Sequence, residues 1–217
     1  SEVTYFVPRQ DNQEIWKALI KNNSGRKRNL SVYGYVEFSL GHGHVDMINQ
    51  CDDQHFNRIK FDRERNAIFA TKTYWVTGGS TQQQENKCWD RYAFFTVNTP
   101  VAKYETMREN FIGLYRSENN PAGIVENQMT NRNTDFGNTI GALRTDITLD
   151  PGEEKNIIFS LGVILKKNFE KEKNQPKKYH TITAVEKAYG EVIAYWNDFF
   201  AKVKISTPEK RINNFIN

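Results

Sequence analysis

The pattern that most restricts this chain is alternation with a period of two. From Leu30 to Phe38, Leu30, Val32, Val36 and Phe38 fall on one side, and Ser31, Tyr33, Tyr35 and Glu37 on the other. This period places successive side chains on opposite faces of a strand. It returns at 141–149 through Leu143, Ile147 and Leu149. It returns again at 156–165 through Ile157, Phe159, Leu161 and Val163. The turn-forming residues Asp150-Pro151-Gly152-Glu153 lie between these two runs. An apolar run at 14–21 is followed by turn chemistry at 22–27, which predicts an antiparallel hairpin with the 31–38 strand. Segments 56–61 and 67–71 flank the charged turn Asp62-Arg63-Glu64-Arg65-Asn66 and predict a second hairpin. Ser1–Phe6 and Arg91–Val97 read as further strands. Many strands joined by short turns favour an antiparallel sandwich over a parallel sheet.

Helical periodicity is confined to a few places. A short helix is predicted over 105–112, with Thr106 as its cap and Met107, Phe111 and Leu114 at helical spacing. The composition changes after Leu165. Residues 166–178 are polar and basic and are interrupted by Pro176, which suits an exposed linker. Beyond it, Ile182, Val185, Tyr189, Val192, Trp196, Phe199 and Val203 recur at intervals of three and four. Thr183-Ala184-Val185-Glu186 has the form of a capping box. A helix with that much aromatic surface must pack on something large. Thr207 and Pro208 read as the N-cap and first residue of another helix. The chain thus divides into a sandwich (1–165), a linker with an amphipathic helix (166–205) and the start of a helical domain (206–217).

Composition removes several functions. Aromatic residues make up 13% of the chain, which excludes disorder. No window approaches a membrane span, and the first residues read as a strand, not as a signal peptide. The net charge is only +4, with acids interspersed among the bases, so no nucleic-acid partner is indicated. Cys51 and Cys88 have neither metal nor redox spacing and read as free thiols of a cytoplasmic protein.

Catalytic constellations are sparse. His42 and His44, with Asp46, supply too few ligands for a zinc site, and His55 and His180 have no telling spacing. There is no nucleophile elbow, phosphate loop or dinucleotide fingerprint. In the segment 71–91, Trp75 and Trp89 bracket a Gln-rich stretch. Aromatic rings with amide side chains are the usual tools for sugars, which makes Tyr74, Trp75, Gln83 and Trp89 candidates. The alternative is that both Trp are core residues at strand ends and the Gln run is solvated. Tyr115 and Arg116 offer a hydroxyl and a fork of donors to a polar ligand. The alternative there is a helix C-terminal turn held by Gly113, with Arg116 in a structural ion pair.

Tyr5-Phe6-Val7-Pro8, Glu14-Ile15-Trp16, the 30–38 strand, Phe111-Ile112-Gly113-Leu114-Tyr115-Arg116, Asn120-Pro121 and the 149–155 segment occur in a recognisable order. Together they resemble the family 94 glycoside phosphorylases. The Trp-flanked insertion and the 135–143 stretch are most similar to the cellodextrin branch. The resemblance implies a mainly β fold, an antiparallel β-supersandwich similar to galactose mutarotase, followed by linker α-helices and an (α/α)6 barrel. In such enzymes further strands usually precede the Tyr-Phe-Val-Pro segment.

It also implies a reaction: phosphorolysis of a β-glucoside such as cellobiose or a cellodextrin, with inversion, giving α-glucose 1-phosphate. Phosphate is already an anionic nucleophile, so one carboxylic acid suffices where an inverting hydrolase needs an acid and a base. The family's acid is an Asp of the barrel, and no position here matches its motif. The resemblance therefore implies no catalytic residue in this chain and no cofactor, with inorganic phosphate as co-substrate. It implies the chain's own barrel and a homodimer as partners, and a β-glucan oligosaccharide near Tyr115, Arg116, Tyr74, Trp75, Gln83 and Trp89. Two other readings compete: a free-standing carbohydrate-binding module, and a mutarotase-like enzyme needing a His–carboxylate pair in a cleft.

Overall fold

The computed structural model describes residues 1–41, 56–76, 85–202 and 206–216. Ten strands are found among them: β1 (Glu2–Phe6), β2 (Gln13–Lys21), β3 (Arg28–Glu37), β4 (Asn57–Asp62), β5 (Ala67–Val76), β6 (Glu85–Cys88), β7 (Arg91–Val97), β8 (Lys103–Met107), β9 (Thr139–Leu149) and β10 (Glu154–Leu165). They form two antiparallel sheets. The larger runs β1-β2-β10-β7-β5-β4, with β6 paired to the far end of β5. The smaller runs β3-β9-β8.

The alternating runs do what their period requires. Val32, Val36 and Phe38, then Leu143, Ile147 and Leu149, then Ile157, Phe159, Leu161 and Val163 all meet in one core between the sheets. Much of the aromatic content lies there: Trp16, Phe95 and Phe159 pack ring to ring, and Phe61 stacks on Tyr104 at 4.4 Å. The 57–62 and 67–72 strands pair as the predicted hairpin, closed around the turn Arg63–Asn66.

The other predicted hairpin does not form. β2 pairs with β1 and β10 in the larger sheet, whereas β3 pairs with β9 in the smaller one. The turn residues instead carry the chain between sheets, beside the 150–153 turn, which makes the same crossing. Asn22 ties the two corners together. Its amide nitrogen donates to the carbonyls of Arg26 (2.8 Å), Leu149 (3.0 Å) and Asp150 (3.1 Å). Its oxygen accepts from the Ser24 backbone and hydroxyl. Its own backbone exchanges bonds with Glu153 and Gly152.

Four corrections concern helices. Glu105 and Thr106 belong to β8 and are wholly buried. The helix α1 spans only Arg108–Ile112, with Met107 rather than Thr106 before it, and α2 (Ala122–Val125) follows. The 166–178 segment is no open linker. It forms short 3-10 turns at Lys166–Asn168 and Gln175–Lys177 around α3 (Phe169–Glu172). Phe169 packs on Phe69 and Tyr92, and Pro176 is buried, so apolar contact draws this polar segment onto the sheet. The amphipathic helix α4 spans Ile182–Ala201, and its cap is Thr181, whose hydroxyl accepts from the Ala184 N–H, rather than Thr183. The last helix, α5 (Lys210–Ile216), starts three residues after Thr207, because Glu209 accepts the first bonds from Ile212 and Asn213.

The outer face of the larger sheet carries α4. Val185 and Ala188 are buried against Phe6, Ile15, Ile158 and Tyr179, with Tyr189 and Val192 at the margin. Lys17 pairs with Glu186 at 2.7 Å. No helix among the described residues is long and apolar enough to cross a membrane.

Candidate functional site

The smaller sheet presents one end to α1. Phe111 and Ile112 pack on Met129, Ile140 and Ala142, and the Phe111 ring stacks on Tyr35 at 5.1 Å. Glu105 fixes the irregular segment that follows the helices. Its buried carboxylate accepts from the N–H groups of Thr106 (3.0 Å), Met107 (3.2 Å) and Thr130 (2.9 Å) and from the Thr130 hydroxyl (2.7 Å). Arg108 donates to Glu37 and Glu118, each at 2.7 Å, and the Tyr35 hydroxyl donates to Glu37. Burial pushes the Glu37 carboxyl up, but Tyr35 and Arg108 outweigh it and hold the group below the usual carboxylate range.

On this platform the chain turns outward. The Gly113 N–H closes the helix on the Glu109 carbonyl at 2.9 Å, with Gly113 at φ 88°. Leu114 and Tyr115 then project into solvent, 81% and 98% exposed. Tyr115 holds φ 58°, a left-handed conformation uncommon for a residue with a Cβ. Arg116 turns back, pairing with Glu126 and donating to the Asn120 carbonyl at 3.4 Å. Of the predicted pair, Tyr115 is thus presented freely and Arg116 is engaged in an ion pair. Ile124 and Val125 add exposed apolar surface that the sequence reading did not single out. The adjoining hollow, about 420 Å³, is lined by Glu109, Asn110, Gly113, Leu114 and Gln128 to Thr130.

Of the other candidates, Tyr74, Trp75 and Trp89 lie on the larger sheet. What the sequence presents as a long loop is strand over much of its length, with Thr73 to Val76 paired to Glu85 to Cys88. Tyr74 and Trp75 sit in that ladder opposite Lys87 and Asn86. Gln83 lies outside the described residues. Trp89 packs against the central core, and its N–H donates to the Lys72 carbonyl at 2.8 Å. The described candidates therefore divide between the two sheets, with Tyr115 and Arg116 after β8, Tyr74 and Trp75 within β5, and Trp89 just after β6.

A third surface lies on α4. The second half of α4 leaves the sheet and exposes Ile193, Trp196, Phe199 and Phe200. Tyr195, Trp196, Phe199 and Phe200 touch one another edge-on and stacked. Between α4, from Ala184 to Tyr195, and the loop after β1 lies a groove of about 690 Å³. Arg9 spans it, its guanidinium 3.6 Å from the Tyr195 ring centre. Sequence periodicity reveals the stripe, but not that half of it is uncovered.

Among the described residues no group of three or more His, Cys, Asp or Glu side chains is placed to hold a metal ion. His42, His44, Asp46, His55 and Cys51 lie outside the described residues, and Cys88 is an exposed free thiol. His180 is bound to Thr96.

Comparison with known proteins supplies the context. The chain is 27% identical over 217 residues to N,N'-diacetylchitobiose phosphorylase of Vibrio proteolyticus, covering 99% of this chain and 25% of that protein. It is 26% identical to 3-O-beta-D-glucopyranosyl-beta-D-glucuronide phosphorylase of Paenibacillus borealis, covering 100% of this chain and 26% of the relative. It is also 26% identical to the cyclic beta-(1,2)-glucan synthase NdvB of Rhizobium meliloti (strain 1021), covering 100% of this chain and 7% of that protein. The chain thus spans about a quarter of the length of the phosphorylases it matches. The family model described as the supersandwich domain of glycosyl hydrolase 94 matches residues 1–183, and with two packed antiparallel sheets across that range the chain belongs to this family.

Proposed function

We propose that this chain is the non-catalytic sandwich and linker of an inverting glycoside phosphorylase of the cytoplasm. Its substrate is a β-glucoside of the cellobiose or cellodextrin class, and phosphate is the nucleophile that yields α-glucose 1-phosphate. The observation that carries the reading is the family match across 1–183, together with relatives that are phosphorylases of several different disaccharides. Those relatives support the reaction class. The cello-configured substrate rests on the resemblance of the 71–91 and 135–143 segments.

The chain's part is support. The exposed aromatic half of α4 is the surface on which an (α/α)6 barrel rests. An amphipathic helix with Trp196, Phe199 and Phe200 half uncovered gains most by burying what remains exposed, about 1 kcal/mol for each, half the value of burying a whole large apolar side chain. Tyr115, at the tip of a projecting turn, is positioned to reach a sugar bound to a neighbouring domain or to a second subunit of a homodimer. Arg116 braces that turn.

The test is phosphorolysis by the complete gene product on cellobiose, cellotriose, laminaribiose and N,N'-diacetylchitobiose, with release of sugar 1-phosphate as the readout. Turnover of the cello-series supports the reading, and turnover of diacetylchitobiose alone replaces the substrate while keeping the reaction. No phosphorolysis, combined with calorimetric binding of cellotetraose by the 217-residue chain, would establish a carbohydrate-binding module instead.

A further inference from the structure

The turn that presents Tyr115 is closed at its base by two glycines. A Cβ on Gly113 would stand 2.9 Å from the Ala122 Cβ, and one on Gly123 would stand 2.5 Å from the Phe111 ring. α1 and α2 therefore meet closely, and the two ends of the turn are fixed against each other. Arg116 adds its bond to Glu126 within the turn. Apolar packing of Phe111 and Ile112 holds α1 on the smaller sheet. The returning limb, Ser117 to Asn120, has no apolar side chain with which to anchor itself.

Arg108 supplies that anchor. Its N–H donates to the Asn138 carbonyl at 2.9 Å, and the Phe38 N–H donates to the Thr139 carbonyl at 3.1 Å. The start of α1 and the end of β3 thus share one base at the start of β9. From that base the guanidinium forks. Its Nε donates to Glu37, the last residue of β3, and its Nη2 donates to Glu118 on the returning limb, each at 2.7 Å. The Tyr35 hydroxyl donates to the same Glu37 oxygen, and the Tyr35 ring is the one on which Phe111 stacks. One side chain therefore connects the end of a strand, the start of a helix and the limb that carries the chain back from Tyr115.

The cluster is poorly placed to serve stability alone. Its three charged side chains are 35% to 65% exposed, and ion pairs at such exposure add little to folding. A planar fork bonded to two carboxylates supplies direction instead, because donors fixed in one plane define an orientation that a point charge does not. We propose that Arg108 is a positioning residue, which ties the returning limb at Glu118 to the end of β3 at Glu37 and so sets the direction in which Tyr115 is presented. This role rests on the proposed reading of Tyr115 as the residue that reaches a bound sugar. Arg108 itself does not touch the sugar. Its loss leaves Tyr115 in place but spread over several directions, and apparent affinity falls with the fraction still correctly presented. A fall of that fraction to about a tenth raises KM about tenfold. The chemistry lies outside this turn, so kcat holds.

The test is phosphorolysis by the complete gene product, with cellotriose as substrate, or with N,N'-diacetylchitobiose if only that sugar is turned over. Arg108→Gln should raise KM about tenfold, with kcat within about twofold and the melting temperature within about 2 °C of wild type. Tyr115→Gly removes the tip, so adding Arg108→Gln to it should change KM no further. KM effects that multiply in the double variant would overturn the proposal, because Arg108 would then act without Tyr115. A wild-type KM in Arg108→Gln, where Tyr115→Gly raises it, would also overturn the proposal and leave the reading of Tyr115 intact. A wild-type KM in Tyr115→Gly, or no phosphorolysis at all, would remove that reading and the positioning role with it. Should Arg108→Gln not fold, Glu118→Ala cuts the same tie from its exposed end, and the same outcomes decide.

Discussion

Gly34 and Phe159 face each other across the sandwich so closely that a Cβ on Gly34 would stand 2.4 Å from the Phe159 ring. The same Cβ would stand 2.8 Å from Phe95, which stacks on Phe159 at 5.7 Å. Neither ring can withdraw, because both sit in the central core. Gly34→Ala should therefore destabilise the chain by about 2–3 kcal/mol through overpacking. Gly25, with nothing within 4 Å of its virtual Cβ, is the control, and Gly25→Ala should stay within about 0.5 kcal/mol of wild type. Urea denaturation of the two variants measures the difference.

Glu105 is a second point of high leverage. Its carboxylate satisfies three backbone N–H groups and one hydroxyl with no solvent contact. Glu105→Leu leaves those donors unpaired and should cost about 3 kcal/mol or more. The loss should be local before it is global. Hydrogen exchange should rise first in the 126–134 segment and in α1, both anchored through β8, while β10 keeps its protection.

These two sites show where the sequence is readable and where it is not. The alternation through Ile157, Phe159, Leu161 and Val163 assigned both the strand and the face turned to the central core, although the opposite face, with Ile158, Ser160 and Ile164, is buried as well. The same alternation says nothing about pairing partners. The turn at Asn22 has the composition of a hairpin, but the amide spends its bonds on the neighbouring 149–150 corner, a contact 127 residues away. Glu105 and Thr106 carry helix-compatible residue types, and only the pairing of β8 with the distant β9, Glu105 opposite Ala142, reveals a strand. At the candidate site, Gly113 marked the helix end correctly. The partnering of Arg116 by Glu126 and the complete exposure of Tyr115 depend on the three-dimensional turn. The Trp89 contact with the core was legible only as one of two alternatives.

The two halves of α4 should respond oppositely to truncation. Val185 is wholly buried, so Val185→Ala should cost about 1–3 kcal/mol in the 217-residue chain. Trp196 and Phe199 are each nearly half exposed, so Trp196→Ser with Phe199→Ser should change the chain's stability by less than about 1 kcal/mol. In the complete gene product the order reverses if this surface carries the barrel. The double variant should then lower the melting temperature by several degrees, and calorimetry on both lengths of protein separates the cases. A double variant that is silent in both would show that nothing covers this surface.

The projecting turn allows a sharper separation of support from substrate contact. At 98% exposure Tyr115 contributes almost no packing, and its left-handed backbone costs about 1 kcal/mol that glycine avoids. Tyr115→Gly relieves that strain and adds a similar entropy to the unfolded chain, so stability should stay within about 1 kcal/mol of wild type. Arg116→Ala instead removes the partner of Glu126 and should lower stability by about 0.5–1 kcal/mol, the scale of a partly exposed ion pair. In phosphorolysis by the complete gene product, Tyr115→Gly should raise KM for the longer oligosaccharides while leaving the melting temperature unchanged. Tyr115→Phe should show whether the hydroxyl or the ring is responsible, since it keeps stacking and removes one donor. Wild-type kinetics in Tyr115→Gly, alongside a lowered melting temperature in Arg116→Ala, would reduce this turn to a structural corner and leave substrate contact to the other sheet.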